Sequence, residues 1–377
     1  MVISIHDLNF DDAITYHYDQ FPPKAIDYAK LIVPLGKAME ALARFDQMLK
    51  NMHSSEFLIA PLRHQEAVIS SRMEGTISTM DEILQYEADY GDDVKETTEY
   101  RSEILETVLY QITLKKAQDA VKDGFGVSDF LIRSLHQGLL SAGRGANKSP
   151  GKYKDEQNYL VDKLKKKILF IPISPEKLRE GLDDLFEYTK SSEQALIKTA
   201  ISHVEFESLH PFKDGNGRIG RMLVTLMLWD SGIISEPHFH LSGYLEEHKD
   251  TYIELMKNVS KNHDWTDWCV FFLEAIEQQA TRNLAITEDI KALYEDMKLT
   301  FSQKLSSKHS YKALDFIFTH PIFRSNRFTN KAGIPTSTAY TFINTLLKEN
   351  LIQTMEEASG SRPALYSFEP LMELVRV

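Results

Sequence analysis

His210-Pro211-Phe212-Lys213-Asp214-Gly215-Asn216-Gly217-Arg218-Ile219-Gly220-Arg221 is the stretch on which the reading of this chain turns. From Gly215 to Gly220 it spells G-x-G-x-x-G, the spacing of a dinucleotide-binding turn. That turn needs a strand before it and a βαβ unit around it. Here Ile201 to Leu209 carry helical periodicity, and the run from Gly220 to Trp229 is apolar on almost every side. The first flank therefore reads as a helix and the second as a buried one. A doubly wound α/β fold is set aside in favour of a helix–loop–helix inside a helical protein.

The loop keeps its chemistry without the dinucleotide label. Gly215 and Gly217 let the backbone turn so that successive N–H groups converge, and the following helix adds its positive end. Arg218 and Arg221 stand three apart at that helix start and can grip one anion bidentately. Asp214 is a carboxylate among phosphate-binding groups, which suits Mg²⁺ shared between protein and substrate phosphates. His210 ends the preceding helix and titrates in the range of a general base. Phe212 anchors the loop in the core. A base, a metal carboxylate, an anion cradle and two arginines describe phosphoryl or nucleotidyl transfer. A polar helix–helix connection accounts for Asp-Gly-Asn-Gly alone, but not for the histidine and arginines beside it. A zinc hydrolase would use His203, Glu207 and His210 at helical spacing. The chain lacks H-E-x-x-H and a third ligand at suitable spacing, so His203 reads as a packed histidine.

Outward from the loop, helical periodicity dominates. Ala25 to Lys50 reads as a long helix with Ala29, Leu31, Ile32, Leu35, Met39, Leu42 and Phe45 as its apolar positions. A second helix spans about 56–73 and stops at Gly75. A third starts near Ser78, and a fourth covers about 97–120. Ser128-Asp129 caps a fifth, with Phe130, Leu131, Leu135 and Leu139 facing inward. Then Asn158-Tyr159-Leu160-Val161 and Ile168-Leu169-Phe170-Ile171 read as a two-stranded hairpin with a polar tip. Pro175 opens the next helix, and another begins near Ser192 and ends at His210-Pro211. Helices near 246–261 and 265–294 follow, then a charged one ending near Ser307. From there, helices at about 311–318, 329–332 and 335–350 precede two β pieces around Ala358-Ser359-Gly360-Ser361. That order is a winged helix-turn-helix pattern.

Composition narrows the class. The 377 residues suit two or three domains, and no apolar run approaches a membrane span. Residues 1–8 lack the basic and apolar regions of a signal peptide. The single cysteine, Cys269, sits in an apolar run and reads as a buried structural thiol. A cytoplasmic location is expected. The net charge of −12 argues against a general nucleic-acid or membrane binder. Between Lys304 and Val377, nine Lys/Arg face six Asp/Glu, so the body carries all of the negative excess.

His210 to Arg221 resembles the Fic family signature H-x-F-x-[DE]-G-N-G-R-x-x-R and matches every fixed position. The resemblance extends over about 10–285: Gly151-Lys152-Tyr153-Lys154 through Pro172 looks like the family's target-docking flap. Leu241 to Leu245, Tyr252 and Trp265 to Trp268 look like its later helices. Lys154 stands where relatives often have arginine. The fold implied is an all-α Fic-type bundle with a small β-hairpin flap and a C-terminal winged helix. Its divisions would be an N-terminal helical region over 1–110, a catalytic domain over 111–300 and the winged helix over 301–377.

The activity implied is transfer of AMP from ATP to a Tyr, Ser or Thr hydroxyl of a target protein, with pyrophosphate leaving. By that likeness His210 is the base and Asp214 holds Mg²⁺. Gly215, Asn216, Gly217, Arg218, Ile219, Gly220 and Arg221 form the ATP- and phosphate-binding set. Tyr159, Leu160 and Phe170 belong to the docking flap. Ser70-Ser71-Arg72-Met73-Glu74-Gly75 fits the family's inhibitory pattern [ST]-x-x-x-E-[GN]. The likeness implies that Ser70, Glu74 and Gly75 restrain the enzyme through a Glu74–Arg221 pair in the place of the γ-phosphate.

Three alternatives stay open. One is removal of AMP, and a second is transfer of phosphate, UMP or phosphocholine. The third is a regulator that binds DNA through Arg324, Arg327, Lys331, Lys348 and Arg362. The winged helix serves equally as a protein-docking or homodimer module, and self-modification is also open. Tyr244 is a conceivable nucleobase neighbour, though a packed core tyrosine is the plainer reading.

Overall fold

The computed structural model describes residues 8–51, 56–91, 100–162 and 164–377. Most of the stretch read for a signal peptide, and the expected helix start near Thr97, lie outside them. In chain order, β1 (Ile14–Thr15), α1 (Tyr28–Asn51), α2 (Glu56–Met73), α3 (Met80–Tyr90), α4 (Ser102–Lys122) and α5 (Asp129–Leu139) come first. The strands β2 (Leu160–Asp162) and β3 (Lys167–Ile171) follow, then α6 (Pro175–Thr189), α7 (Ala195–Leu209) and α8 (Asn216–Asp230). Next are α9 (Ser242–Glu247), α10 (Lys249–Asn262), α11 (Trp265–Leu305) and α12 (Ser310–Thr319). The chain closes with β4 (Ile322–Arg324), α13 (Ser325–Lys331), α14 (Thr336–Lys348), β5 (Gln353–Glu356), β6 (Leu365–Ser367) and α15 (Glu369–Val375). The fold is predominantly helical, as the periodicity requires.

The chain forms two compact units, each discontinuous in sequence. One combines Met1–Asp46 with Ile112–Ala280, and the other combines Gln47–Gln111 with Thr281–Val377. In the first unit α7 and α8 form the centre. Almost every side chain of both is buried, as suits a helix surrounded by protein on most sides. The Trp268 indole N–H donates to the Ala200 carbonyl at 2.7 Å, tying α11 to α7. Cys269 is buried, and burial pushes its thiol up to about 12, as a structural cysteine requires.

The hairpin is part of a three-stranded sheet of order β1-β3-β2. β1 pairs parallel with β3, Ile14 opposite Phe170. Two residues are too few to announce a strand by pattern, so tertiary context alone makes β1. It is held by a buried network on Glu205, which accepts from the Tyr16 hydroxyl at 2.6 Å and meets His17 Nε2 at 2.8 Å. His17 Nδ1 meets the Ser260 hydroxyl at 2.9 Å.

Other expectations shift. Phe130 is exposed, and α5 turns Leu131, Ile132, Leu135, His136 and Leu139 inward. On α1, Ile32, Val33 and Met39 face outward while Leu31, Ala38, Leu42, Phe45 and Leu49 are buried. α8 begins at Asn216, four residues before the apolar run, and α11 continues through the expected break near Tyr294.

In the second unit, α2 packs through Phe57, stacked on Tyr294 with ring centroids 4.2 Å apart. The Gln65 amide donates to the Val375 carbonyl at 2.9 Å. The C-terminal segment forms an antiparallel sheet of order β4-β6-β5 beside α12, α13 and α14. Its first strand delivers Arg324, whose buried guanidinium meets Asp89 of α3 at 2.6 Å and Glu356 at 2.6 Å. Arg362 also reaches Asp89, at 3.1 Å. Two of the five cations weighed for DNA are therefore engaged inside the protein.

Replacing Arg324 by alanine leaves the nearly buried Asp89 without its main partner. Breaking such a pair costs about 3–5 kcal/mol, and the loss is expected at about 3 kcal/mol because Arg362 and Tyr100 stay on the carboxylate. Urea unfolding followed through the second unit reads it, and the double variant Asp89→Asn, Arg324→Met recovers part of it.

Candidate active site

The residues from His210 to Arg221 lie together where α7 ends and α8 begins. His210 caps α7 in the left-handed region, at φ 46° and ψ 60°. A non-glycine residue holds that conformation only when its surroundings over-determine it, and here they do. The Asn158 amide donates to the carbonyls of His210 and Phe212 at 3.0 and 3.1 Å. The Asn216 side chain accepts from the Phe212 N–H and donates to its carbonyl, both at 2.8 Å. Phe212 is fully buried, the anchor expected of it.

His210 Nδ1 lies 3.4 Å from the Glu207 carbonyl. A carbonyl can only accept, so this contact puts the proton on Nδ1 and makes Nε2 the ring nitrogen able to accept one. Lys154 is buried. Its ammonium donates to the Leu209 carbonyl at 3.0 Å and to Asn158 at 2.9 Å. A cation is well placed at the negative end of a helix, but burial holds its pKa down to about 7.

Gly215, at φ 78°, begins α8 and needs the left-handed freedom of glycine. The first intrahelical bond runs from Ile219 N–H to the Gly215 carbonyl at 3.1 Å. The N–H groups of Asn216, Gly217 and Arg218 precede it and have no acceptor within the helix. They are the groups that the expected anion cradle would use. Asp214 Oδ1 accepts from the Gly215 N–H at 2.6 Å and lies 3.6 Å from Arg218. The carboxylate is about half exposed, at 45%. Among the described residues no cluster of three metal-binding side chains exists. The donor set therefore fits a cation shared with substrate phosphates and does not fit a metal caged by protein alone.

Three residues of the phosphate-binding set have other work. The Asn216 side chain is engaged with Phe212, so its contribution to the cradle comes through its backbone. Ile219 is fully buried and its N–H is taken by Gly215. Gly220 lies where a Cβ would run into Glu207 Oε1, so its place is the contact between α7 and α8. Arg218 and Arg221 are both buried at the head of α8.

His203 donates from Nδ1 to the Gly220 carbonyl at 3.2 Å and accepts from Tyr252 at 2.9 Å. Burial lowers its pKa to about 3, as befits a packed neutral histidine. Tyr244 is buried against Phe271 and His248 in the core. Lys154, Asn158 and His136 were not singled out as site residues, because their roles depend on backbone groups distant in sequence.

Flanking the last turn of α7 is a cavity of about 280 Å³, lined by Leu160, Val161, Leu169, Phe170, Ile253 and Met256 with Glu207, Ser208 and Lys257. Leu160 and Phe170 of the flap set thus face this cavity, while Tyr159 sits edge-on to Phe10. In the β1-β3-β2 sheet, β3 is central, so the edge strand of the hairpin is β2. Ser70, Glu74 and Gly75 belong to the second unit. There α2 ends at Met73, and Gly75 at φ 82° turns the chain.

Known proteins resemble the chain as follows. A family model described as Fic/DOC family N-terminal matches residues 32–117, and one described as Fic/DOC family matches 127–228. Protein adenylyltransferase fic-1 of Caenorhabditis elegans is 37% identical over 67 residues, which is 17% of this chain and 13% of that protein. A probable protein adenylyltransferase of Aquifex aeolicus is 24% identical over 210 residues, 53% of this chain and 59% of the relative. The chain thus spans only part of the length of these relatives. A crystal structure of a Fic family protein from Desulfovibrio desulfuricans G20 superposes with a TM-score of 0.57 at 18% identity, covering 92% of this chain and 98% of the other. A Fic domain containing signaling protein from Bacteroides thetaiotaomicron gives 0.52 at 17% identity, covering 67% and 96%. At these identities the structural likeness is one of fold.

The depressed pKa of Lys154 has a consequence for stability. The unfolded chain keeps that proton to about pH 10.5, whereas the folded protein sheds it near 7. Between these values the unfolded state binds more protons, so stability contributed by this group rises with pH above 7. Urea midpoints measured at pH 7 and 9 are expected to show that rise in the wild type and to lack its Lys154 component in Lys154→Met.

Proposed function

The chain belongs to the Fic/DOC family, and from that premise we propose that it transfers AMP from ATP to a Tyr, Ser or Thr hydroxyl of a protein. The observation that carries the reading is the arrangement at the α7–α8 junction. A histidine with its base nitrogen defined, an anion cradle and a half-exposed carboxylate meet within a few residues. The relatives' names support the choice of group.

In this reading His210 Nε2 takes the proton of the target hydroxyl, whose oxygen attacks the α-phosphorus as pyrophosphate leaves. The N–H groups of Asn216, Gly217 and Arg218 hold phosphate oxygens as charge develops on them. Arg218 and Arg221 neutralise the leaving phosphates. Asp214 would hold Mg²⁺ against the same phosphates, where the ion supplies charge neutralisation when bound. The cavity between the flap strands and α10 is at the small end for a ligand pocket. It suits one nucleobase, with the phosphates reaching the cradle, and the β2 edge takes the target segment by strand addition.

Regulation is part of the proposal. Glu74 restrains the enzyme by pairing with Arg221, which would keep the γ-phosphate from its place. The C-terminal segment is read as a winged helix that docks protein. With Arg324 and Arg362 held by Asp89 and Glu356, a DNA reading retains only Arg327, Lys331 and Lys348 of its original cations.

Incubation with ATP labelled on the α-phosphate tests the assignments. His210→Ala is expected to lose about 100- to 10,000-fold in transfer, the usual worth of a general base, while Glu74→Gly transfers more than wild type. Equal labelling of all three proteins would refute both roles, and label arriving only from γ-labelled ATP would identify phosphate as the group moved. Met256→Trp crowds the cavity and is expected to raise the KM for ATP about ten- to hundredfold, the equivalent of an overpacked site. A KM unchanged by this variant would place the base elsewhere.

A further inference from the structure

We propose that His136, outside the signature loop, is a positioning residue that sets the peptide plane between Asp214 and Gly215 and links it to the start of the flap segment. His136 lies on α5 and is fully buried. Its ring lies parallel to Phe212, with centroids 3.9 Å apart and planes 9° apart. Nδ1 accepts from the Gly151 N–H at 2.8 Å, and Nε2 lies 3.2 Å from the Asp214 carbonyl. An amide can only donate and a carbonyl can only accept, so the two contacts require one neutral tautomer with its hydrogen on Nε2.

The consequence follows from peptide geometry. In a trans peptide the C=O and the next N–H point in opposite directions. Holding the Asp214 carbonyl against His136 therefore aims the Gly215 N–H the other way, and that N–H is the 2.6 Å donor to the Asp214 carboxylate. His136 thus fixes, one peptide removed, where the carboxylate stands beside the cradle. α5 supports the same turn at its next position, where a Cβ on Gly215 would lie 3.2 Å from Leu139. The second tether acts on Gly151, whose φ of 75° starts the segment carrying Lys154 and Asn158. Those side chains reach back to Leu209, His210 and Phe212. One imidazole therefore joins both backbone stretches that hold the base and the carboxylate. No other side chain offers an acceptor and a donor on opposite edges of a flat ring that also stacks.

Three variants separate the tethers. His136→Asn can keep the acceptor near Nδ1, His136→Gln can keep the donor near Nε2, and His136→Phe keeps only the stack. Hydrogen exchange at Gly151 and Gly215 is read in each, with no dependence on any activity. Exchange is expected to rise at least about tenfold at both amides in the Phe variant, the equivalent of one modest hydrogen bond lost. It should rise mainly at Gly151 in the Gln variant and mainly at Gly215 in the Asn variant. In the Glu74→Gly background, AMP transfer should then fall more in kcat for Asn than for Gln. That arm rests on the function proposed above. If Glu74→Gly with His136 intact transfers nothing, the function reading fails while the exchange pattern still tests the tethers. Should a variant fail to fold, ¹⁵N-histidine spectra of the wild type decide, with His136 expected as the neutral Nε2–H form. An Nδ1–H form, equal exchange at both amides across the variants, or equal transfer by Asn and Gln where the Glu74→Gly parent is active would each overturn the assignment.

Discussion

The Asn216 side chain closes on both backbone polar atoms of Phe212, and the geometry of the loop depends on that pair of 2.8 Å bonds. Two buried helices meet here through a connection of six residues. A buried connection must find partners for its peptide groups or lose the full cost of desolvating them. Asn216 supplies two partners from inside the loop, and Asn158 supplies two from outside it. With Phe212 held, His210 is driven into a left-handed conformation, and α8 can start at once with its leading N–H groups gathered. The geometry of the loop is here a by-product of satisfying a buried backbone.

Polar groups near this loop act chiefly as braces. Lys154 holds the last turn of α7, His136 spans two backbone stretches, and His203 meets the Gly220 carbonyl. Burial depresses the pKa of all three, so each is nearer neutrality than its residue type suggests. The charged positions that remain are Asp214, Arg218 and Arg221. That division keeps extra charge out of the supporting layer.

The second unit shows the same economy of charge. The C-terminal segment has a positive excess, yet its buried arginine is directed inward to Asp89 and Glu356. The motif ending in Glu74-Gly75 and the C-terminal segment belong to one compact unit although most of the chain separates them in sequence. On α2, contacts with Tyr294 and with the Val375 carbonyl come from that distant part of the chain.

The sequence by itself determined the helical class, the loop between two buried helices, and the types of group that loop presents. Those properties are local: periodicity, turn glycines and residue chemistry within twelve positions. Tertiary structure alone decided which of the loop residues turn into the core. Ile219 and Gly220 fall inside the stretch read as phosphate-binding, but a helix turns consecutive positions to different sides, and these two meet the core and α7. β1, too short to carry a pattern, makes β3 an inner strand and leaves β2 as the edge strand of the hairpin. Arg324 and Arg362 looked like surface cations until the fold brought Asp89 to them. His136 was invisible in the same way, because both its partners are backbone atoms, and sequence does not record where a backbone atom will lie.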